Sequence, residues 1–496
     1  MCRSATRTLA RVAALPNRTQ RRLSTPETVS NAIVVGGGPN GLAAAARLAR
    51  EGVSVTVLES ADTVGGGARS SAYLAPGLIH DHCSAVHPMA ISSPLFRSLD
   101  LPGLTWCAPE IDCAHPLDDG SAGAFARSFD TTDTLLGVDG RSWRRMFAPV
   151  AAHFDDLFTD ISQPVIRVPR HPITLGRFGL RVLPPATVLA RAWSTPQAKA
   201  LWSGVAAHAF WRLDRPLTSA VGMTLTASAH AHGWVVAEGG TQSIVNALVA
   251  DITANGGRIE TGVTVTSRDE LPEHDALLLD VSPGAAATIL GDSLPDRVAK
   301  AYRRFRHGPS AFKVDFAVEG GVPWTAEVAR RAGTVHLGGT IDEVVANERA
   351  IVDGRMPDRP FVLVGQQYLA DPSRSSGDVH PVWAYAHVPH GYTGDATEAI
   401  IAQFERFAPG FRDRVIGMEV KSTTDMAVYN PNYVGGEIIG GAGSPLQTIF
   451  RPRIAIDPYA TGVPGAYLCS ASTPPGAGAH GMCGSNAADR ALTFMG

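Results

Sequence analysis

No run of about 18 uninterrupted apolar residues occurs in the 496-residue chain, so a transmembrane helix is not expected. A secretory signal is missing too. Cysteine is scarce: the six, Cys2, Cys83, Cys107, Cys113, Cys469 and Cys483, never fall as C-x-x-C, and no Cys/His cluster has zinc spacing. A dithiol reductase and a structural metal are therefore disfavoured, and buried free thiols in a reducing compartment are the expected state. Charged residues make up 18% of the chain, below the roughly 25% of an average soluble protein. With 45% hydrophobic residues and a mean hydropathy of +0.03, more apolar surface than usual is expected. The formal net charge is −3 and no basic stripe recurs, which argues against nucleic acid as a partner.

The first 30 residues depart from this composition. Arg3, Arg7, Arg11, Arg18, Arg21 and Arg22 stand against Glu27 alone, a net +5 that leaves −8 for the rest. Arg3, Arg7 and Arg11 repeat at helical spacing among frequent Ser and Thr. A mitochondrial transit peptide, a disordered extension and a start codon placed too early all fit this segment. Without targeting, a cytoplasmic protein is expected. At this length the default is two interleaved domains.

What the chain does have is concentrated in residues 31–69. An apolar run, Ala32 to Val35, reads as a buried parallel strand and stops at Gly36-Gly37-Gly38-Pro39-Asn40-Gly41. In the G-x-G-x-x-G reading Gly36 allows the tight turn, Gly38 lets the backbone approach a pyrophosphate, and Gly41 lets the next helix pack on the strand. That helix, Leu42 to about Arg50, offers its positive N-terminal end to phosphate. A second strand, Val53 to Leu58, ends at Glu59, an acid about 20 positions on that suits ribose hydroxyls. Dinucleotide binding follows. After five residues come Gly65-Gly66-Gly67-Ala68-Arg69. This resembles the second glycine pair and arginine of the FAD-binding amine oxidase and phytoene desaturase superfamily, where the pair lies against pyrophosphate and flavin. The resemblance implies FAD rather than NAD, with Pro39, Asn40, Gly66, Gly67 and Arg69 among the cofactor-binding residues.

Pro76-Gly77 marks a turn in a short hairpin over residues 71–84. In phytoene desaturases an aspartate follows a similar turn and shapes the flavin end of the site. Asp81 matches it in position and is a catalytic candidate; the other reading is that it ties down the loop. Residues 90 to 235 read as an inserted helical subdomain, with helical stretches at 141–158 and 186–211. Their Trp and Phe residues suit a core, but also an apolar tunnel or a membrane surface. Further on, Gly239-Gly240, an amphipathic helix from Ile244 to about Ala254, Gly256-Gly257 and strand-like Val263-Thr264-Val265 resemble the superfamily's second segment. The resemblance makes Val263 a backbone contact to adenine. Segments 312–316, 335–340, 361–364 and 382–385 read as strands of a mixed sheet opposite the flavin. No second strand-G-x-G-x-x-G-helix unit for NAD(P)H is found.

The last segment, Ala466 to Ala488, resembles the C-terminal flavin motif of bacterial phytoene desaturases and their carotenoid- and retinoid-converting relatives, through Tyr467-Leu468, Thr473 to Gly478 and Gly484-Ser485. A strand delivers the chain to the flavin, glycines turn amides towards it, and a helix from about Ser485 aims its positive end there. Gly478, Gly481, Met482 and Gly484 are the resulting cofactor candidates. His480 stands where relatives often carry an apolar residue, and is the second catalytic candidate beside its reading as a cap on local backbone.

The fold class expected is α/β: a Rossmann-like FAD domain from 31–90, 235–292 and 455–496, with a mixed-sheet and helical substrate domain from 91–234 and 293–454. The resemblance implies hydride transfer from a C–H bond of an apolar, polyene or lipid-like substrate to flavin, with oxygen or a quinone as acceptor. Flavin-dependent isomerisation, amine oxidation and a non-enzymatic Rab-escort-like role are the alternatives.

Overall fold

In the computed structural model, which describes residues 30–496, the first apolar run forms the strand Asn31–Val35 at the centre of a five-stranded parallel sheet. The arginines of the leader lie outside the described residues. The strand order is Ala466–Leu468, Ala276–Leu279, Asn31–Val35, Ser54–Glu59, Arg258–Thr261. Register is set by pairs such as Val35 with Leu58 and with Leu279, and Leu279 with Leu468. Such strands read as unbroken apolar runs because both faces are covered. Helices Pro39–Arg50, Gln242–Ala254 and Met482–Met495 bury Val34, Val55 and Leu278 on one side. Pro283–Leu290 and Asp296–Arg303 bury Ile33, Leu277 and Leu279 on the other. Strands from three remote parts of the chain therefore end at one crevice, where parallel sheets of this kind place ligands.

The second sheet has seven strands in the order Val415–Lys421, Ser310–Glu319, Val379–Val388, Val362–Gly365, Ala332–Leu337, Ile111–Pro116, Ala122–Phe125. It is mixed: Ala332–Leu337 and Ile111–Pro116 run parallel and the other neighbours antiparallel. One face packs on the helix Thr397–Phe407 through Phe316, Ile400 and Phe404. The other looks towards a helical layer that includes Gly140–Ala151, Phe154–Ile161, Pro172–Val182, Pro196–Ala207 and Ser219–His232.

Four details differ from the expectation. Residues 90–235 are not purely helical, because 111–116 and 122–125 are strands of the second sheet. The helix expected over 141–158 is two helices, broken near Ala152 and His153. The strand near Val263 ends at Thr261, because the ladder beside Ser54–Glu59 runs out there. The last helix starts at Met482 rather than Ser485, since Gly481, at φ +69, supplies a left-handed cap that only glycine takes cheaply. The aromatics of the helical layer are mostly core: Trp143 donates to His230 Nε2 at 3.0 Å and Trp202 to the Ala186 carbonyl at 2.9 Å, while Trp193 Nε1 is buried without a partner. Among the described residues no helix is long and apolar enough to cross a membrane.

Candidate functional site

A cavity of about 760 Å³ runs from the crevice of the parallel sheet to the helical layer. At the nucleotide end, Gly36 has φ +102, and a Cβ there would stand 2.6 Å from the Asp280 carbonyl oxygen. No other residue fits that turn without strain. Gly38 and Pro39 follow at the wall, and Gly41 sits behind them, its N–H donating to Asp280 Oδ2 at 2.8 Å. Asn40 is buried at the wall with its Oδ1 unpartnered. Glu59 ends its strand as expected. Its Oε2 accepts from the Gly37 N–H at 2.7 Å and its Oε1 from Ala61 N–H at 2.9 Å.

The second glycine turn meets the first through Gly65 N–H, which donates to the Gly37 carbonyl at 2.7 Å. Gly66 and Gly67 line the cavity beneath Tyr429 and Tyr433. The Tyr429 hydroxyl donates to the Gly66 carbonyl at 2.7 Å. Arg69 also lines the cavity, its guanidinium bound to the Val64 and Thr63 carbonyls and facing the Tyr429 ring. Val263 is away from the wall, and its N–H is taken by the Glu59 carbonyl at 2.9 Å.

The C-terminal loop reaches the same cavity, with Gly478 and His480 at the wall. His480 Nδ1 accepts from the Met482 N–H at 3.1 Å, which leaves the ring proton on Nε2. That Nε2 is buried without a partner. Burial lowers the imidazole to about 4, against the Ala477 and Gly476 carbonyls that favour its charged form, so it is neutral near pH 7. Gly481, Met482 and Gly484 stand behind the wall; Gly484 lies so close to the Asn40 carbonyl that a Cβ would overlap it.

Asp81 is placed elsewhere. It is buried, accepts from Ser70 Oγ at 2.6 Å and Thr241 N–H at 2.9 Å, and pairs with Arg374 at 2.5 Å. Burial opposes its ionisation, but the Arg374 charge and these donors win and hold it below the usual carboxylate range. It anchors the hairpin to the second sheet's flank, with both carboxylate oxygens bonded within the protein.

Several residues of the site lie outside the cofactor and catalytic candidates named from the sequence. Asp280 sits under the first glycine turn, and burial, helped by the Glu59 charge, pushes its carboxyl up to about 7. An acid closing the apolar run Leu277-Leu278-Leu279 was the available clue. Asn432 clamps the same strand end, accepting from Ser282 N–H at 2.8 Å and donating to the Asp280 carbonyl at 2.9 Å. Lys313 and Asp315 form a buried pair inside an apolar strand, with the ammonium over Trp383, a cavity-wall residue. At the far end Phe178, Leu217, Val221 and Leu225 make an apolar wall, with Tyr385 and Leu363 from the second sheet opposite.

Residues 34–100 match the NAD(P)-binding Rossmann-like domain family. The pyridine nucleotide-disulfide oxidoreductase domain-containing protein 2 of Rattus norvegicus is 24% identical, with 92% of each chain covered. An oxidoreductase of Methanosarcina mazei superposes with a TM-score of 0.62 at 15% identity, over 94% of this chain and 99% of that one. Cyclohexylamine oxidase from Brevibacterium oxydans gives 0.57 at 17% identity, over 94% and 99%. A Rossmann-like nucleotide-binding sheet carrying a mixed sheet and a helical layer is thus the fold this chain shares, nearly end to end, with these oxidoreductases.

Proposed function

We propose that the protein is an FAD-dependent oxidoreductase that takes hydride from a C–H bond of an apolar, polyene or lipid-like substrate, resembling the phytoene desaturases within the amine oxidase-type flavoproteins. The observation that carries this reading is a single cavity joining the glycine turns and Glu59 to an apolar far wall. Two buried polar atoms of residues lining the cavity, Asn40 Oδ1 and His480 Nε2, have no partner in the protein, which suits a polar ligand in the cavity. In this reading 31–90, 235–292 and 455–496 are the cofactor domain, and the remainder shapes the substrate.

Gly36, Gly38, Pro39 and Asn40 would hold the pyrophosphate at the helix end, Glu59 the ribose, and Gly66, Gly67 and Gly478 the flavin side. When bound, FAD would supply the hydride acceptor, with oxygen or a quinone as the final oxidant. The protein's own share is placement: Tyr385, Leu363, Val221 and Leu225 orient an apolar carbon skeleton and exclude water, and His480 offers a neutral N–H donor. The cysteines do not fit dithiol chemistry: Cys83, Cys113, Cys469 and Cys483 are buried and no C-x-x-C occurs.

Purified protein should be yellow, releasing FAD on denaturation, and Gly38→Leu should lose the colour while remaining folded. A colourless chain that still captures a prenylated partner would instead mark an escort protein. Anaerobic bleaching by a polyene or fatty acid, and not by an amine, is the expected result; bleaching by amines alone overturns the substrate class.

A further inference from the structure

From Ile161 to Leu213 the chain holds no Asp or Glu, yet carries Arg167, Arg170, Arg177, Arg181, Arg191, Lys199 and Arg212. In a chain of net charge −3 this is a strong local asymmetry. The same stretch exposes apolar side chains: Val168 is 89% exposed, Leu180 75%, Ile173 70%, Val165 64% and Leu183 57%. The helix Pro172–Val182 explains how they coexist. Its inner side buries Phe178 and Val182 against the helical layer, while Ile173, Arg177 and Leu180, at spacings of four and three, share the outer side. Arg167 is committed to Asp160. Among the described residues no carboxylate pairs with Arg170, Arg177, Arg181 or Arg191.

We propose that this face, Val165 to Arg191, docks on an anionic lipid surface. Unpartnered arginines interleaved with exposed aliphatic side chains suit lipid headgroups above an acyl layer, and a protein interface would not call for one sign of charge throughout. A second observation fixes the choice: Phe178, on the inner side of the docking helix, is itself part of the cavity's apolar wall, next to Ile161, Leu217 and Val221. A lipid-like molecule leaving the bilayer would meet the cavity directly beneath the contact. Substrate entry at this contact rests on the function proposed above; the docking does not.

The test is co-sedimentation of the full chain with phosphatidylcholine vesicles containing or lacking phosphatidylglycerol, at low and high salt. Binding to the anionic vesicles, weakened by salt, is expected. Arg177→Gln with Arg181→Gln should lower the partition coefficient about 30-fold, at about a tenfold or smaller loss per charge, and Ile173→Ser with Leu180→Ser at least tenfold. Ile173, Arg177 and Leu180 are exposed and Arg181 is half-buried with no carboxylate partner among the described residues, so thermal unfolding should change little. Equal binding by wild type and variants, no binding to either vesicle, or self-association in solution that the same substitutions abolish would each overturn the proposal. Vesicle binding by a protein whose flavin no polyene or fatty acid bleaches would leave docking standing and remove the substrate reading.

Discussion

Asp280 places a carboxyl where an anionic pyrophosphate is expected to arrive. Its Oδ2 already accepts the Gly41 N–H, and its pKa is raised from near 3.8 to about 7. The fold therefore favours the protonated form, and its contribution to stability is full below about pH 4 and lost as pH rises through 7. Asp280→Asn keeps an acceptor for Gly41 and removes the charge. It should raise the unfolding temperature by several degrees at pH 8, by clearly less at pH 5 and hardly at pH 4, and hold flavin more tightly at pH 8; thermal melts and flavin release across that range check both. His480 behaves oppositely. Its neutral form is favoured, so between pH 5.5 and 8.5 its own titration should not shape the turnover profile, and His480→Asn should scale the rate down without moving the profile's midpoints.

Between elements, the decisive contact is the crossing of the first and last helices. Gly484 of Met482–Met495 sits against the Asn40 carbonyl of Pro39–Arg50, and Gly41 against the Gly36 carbonyl. Gly484→Ala should cost about 1–3 kcal/mol by overpacking and weaken flavin retention with it, read by denaturant unfolding and by the flavin absorbance of the purified variant. The first glycine turn was legible in the sequence because its pattern is local: strand, turn, helix and acid follow one another within 31–59. The strands Ile111–Pro116 and Ala122–Phe125 were not. They are short and almost wholly buried, the first interrupted by Asp112 and His115 and the second built of Ala122-Gly123-Ala124-Phe125, so neither alternation nor an apolar run announces them. The residues pairing across segments, Asp280 with Gly41, Asp81 with Arg374, Tyr429 with Gly66, are equally silent in sequence, since each depends on approaches between residues 239 to 363 positions apart.

Across the molecule, Arg374 is the tie between the two sheets' surroundings. Nearly inaccessible, it donates to Asp81, Asp371 and the Ala237 carbonyl. Arg374→Met would leave Asp81 buried without its countercharge, and the expected cost is about 3–5 kcal/mol, measured by denaturant unfolding at neutral pH. Four buried imidazoles, His87, His115, His230 and His480, are each lowered to about 4 by burial. They protonate first in the unfolded chain, so their contribution is complete above about 6.5 and drains away as pH falls towards 4, which melts at stepped pH should show.

The edge strand Ala466–Leu468 pairs with Ala276–Leu279, which pairs with Asn31–Val35 more than 400 residues upstream of that edge. During synthesis the nascent Rossmann sheet must wait with one flank bare while both insertions emerge and fold. Such a growing chain shows a sticky ribbon of open peptide groups to its surroundings until the final stretch clears the ribosome. Shortened products ending before Ala466 should consequently clump, and no amount of added nucleotide should rescue them.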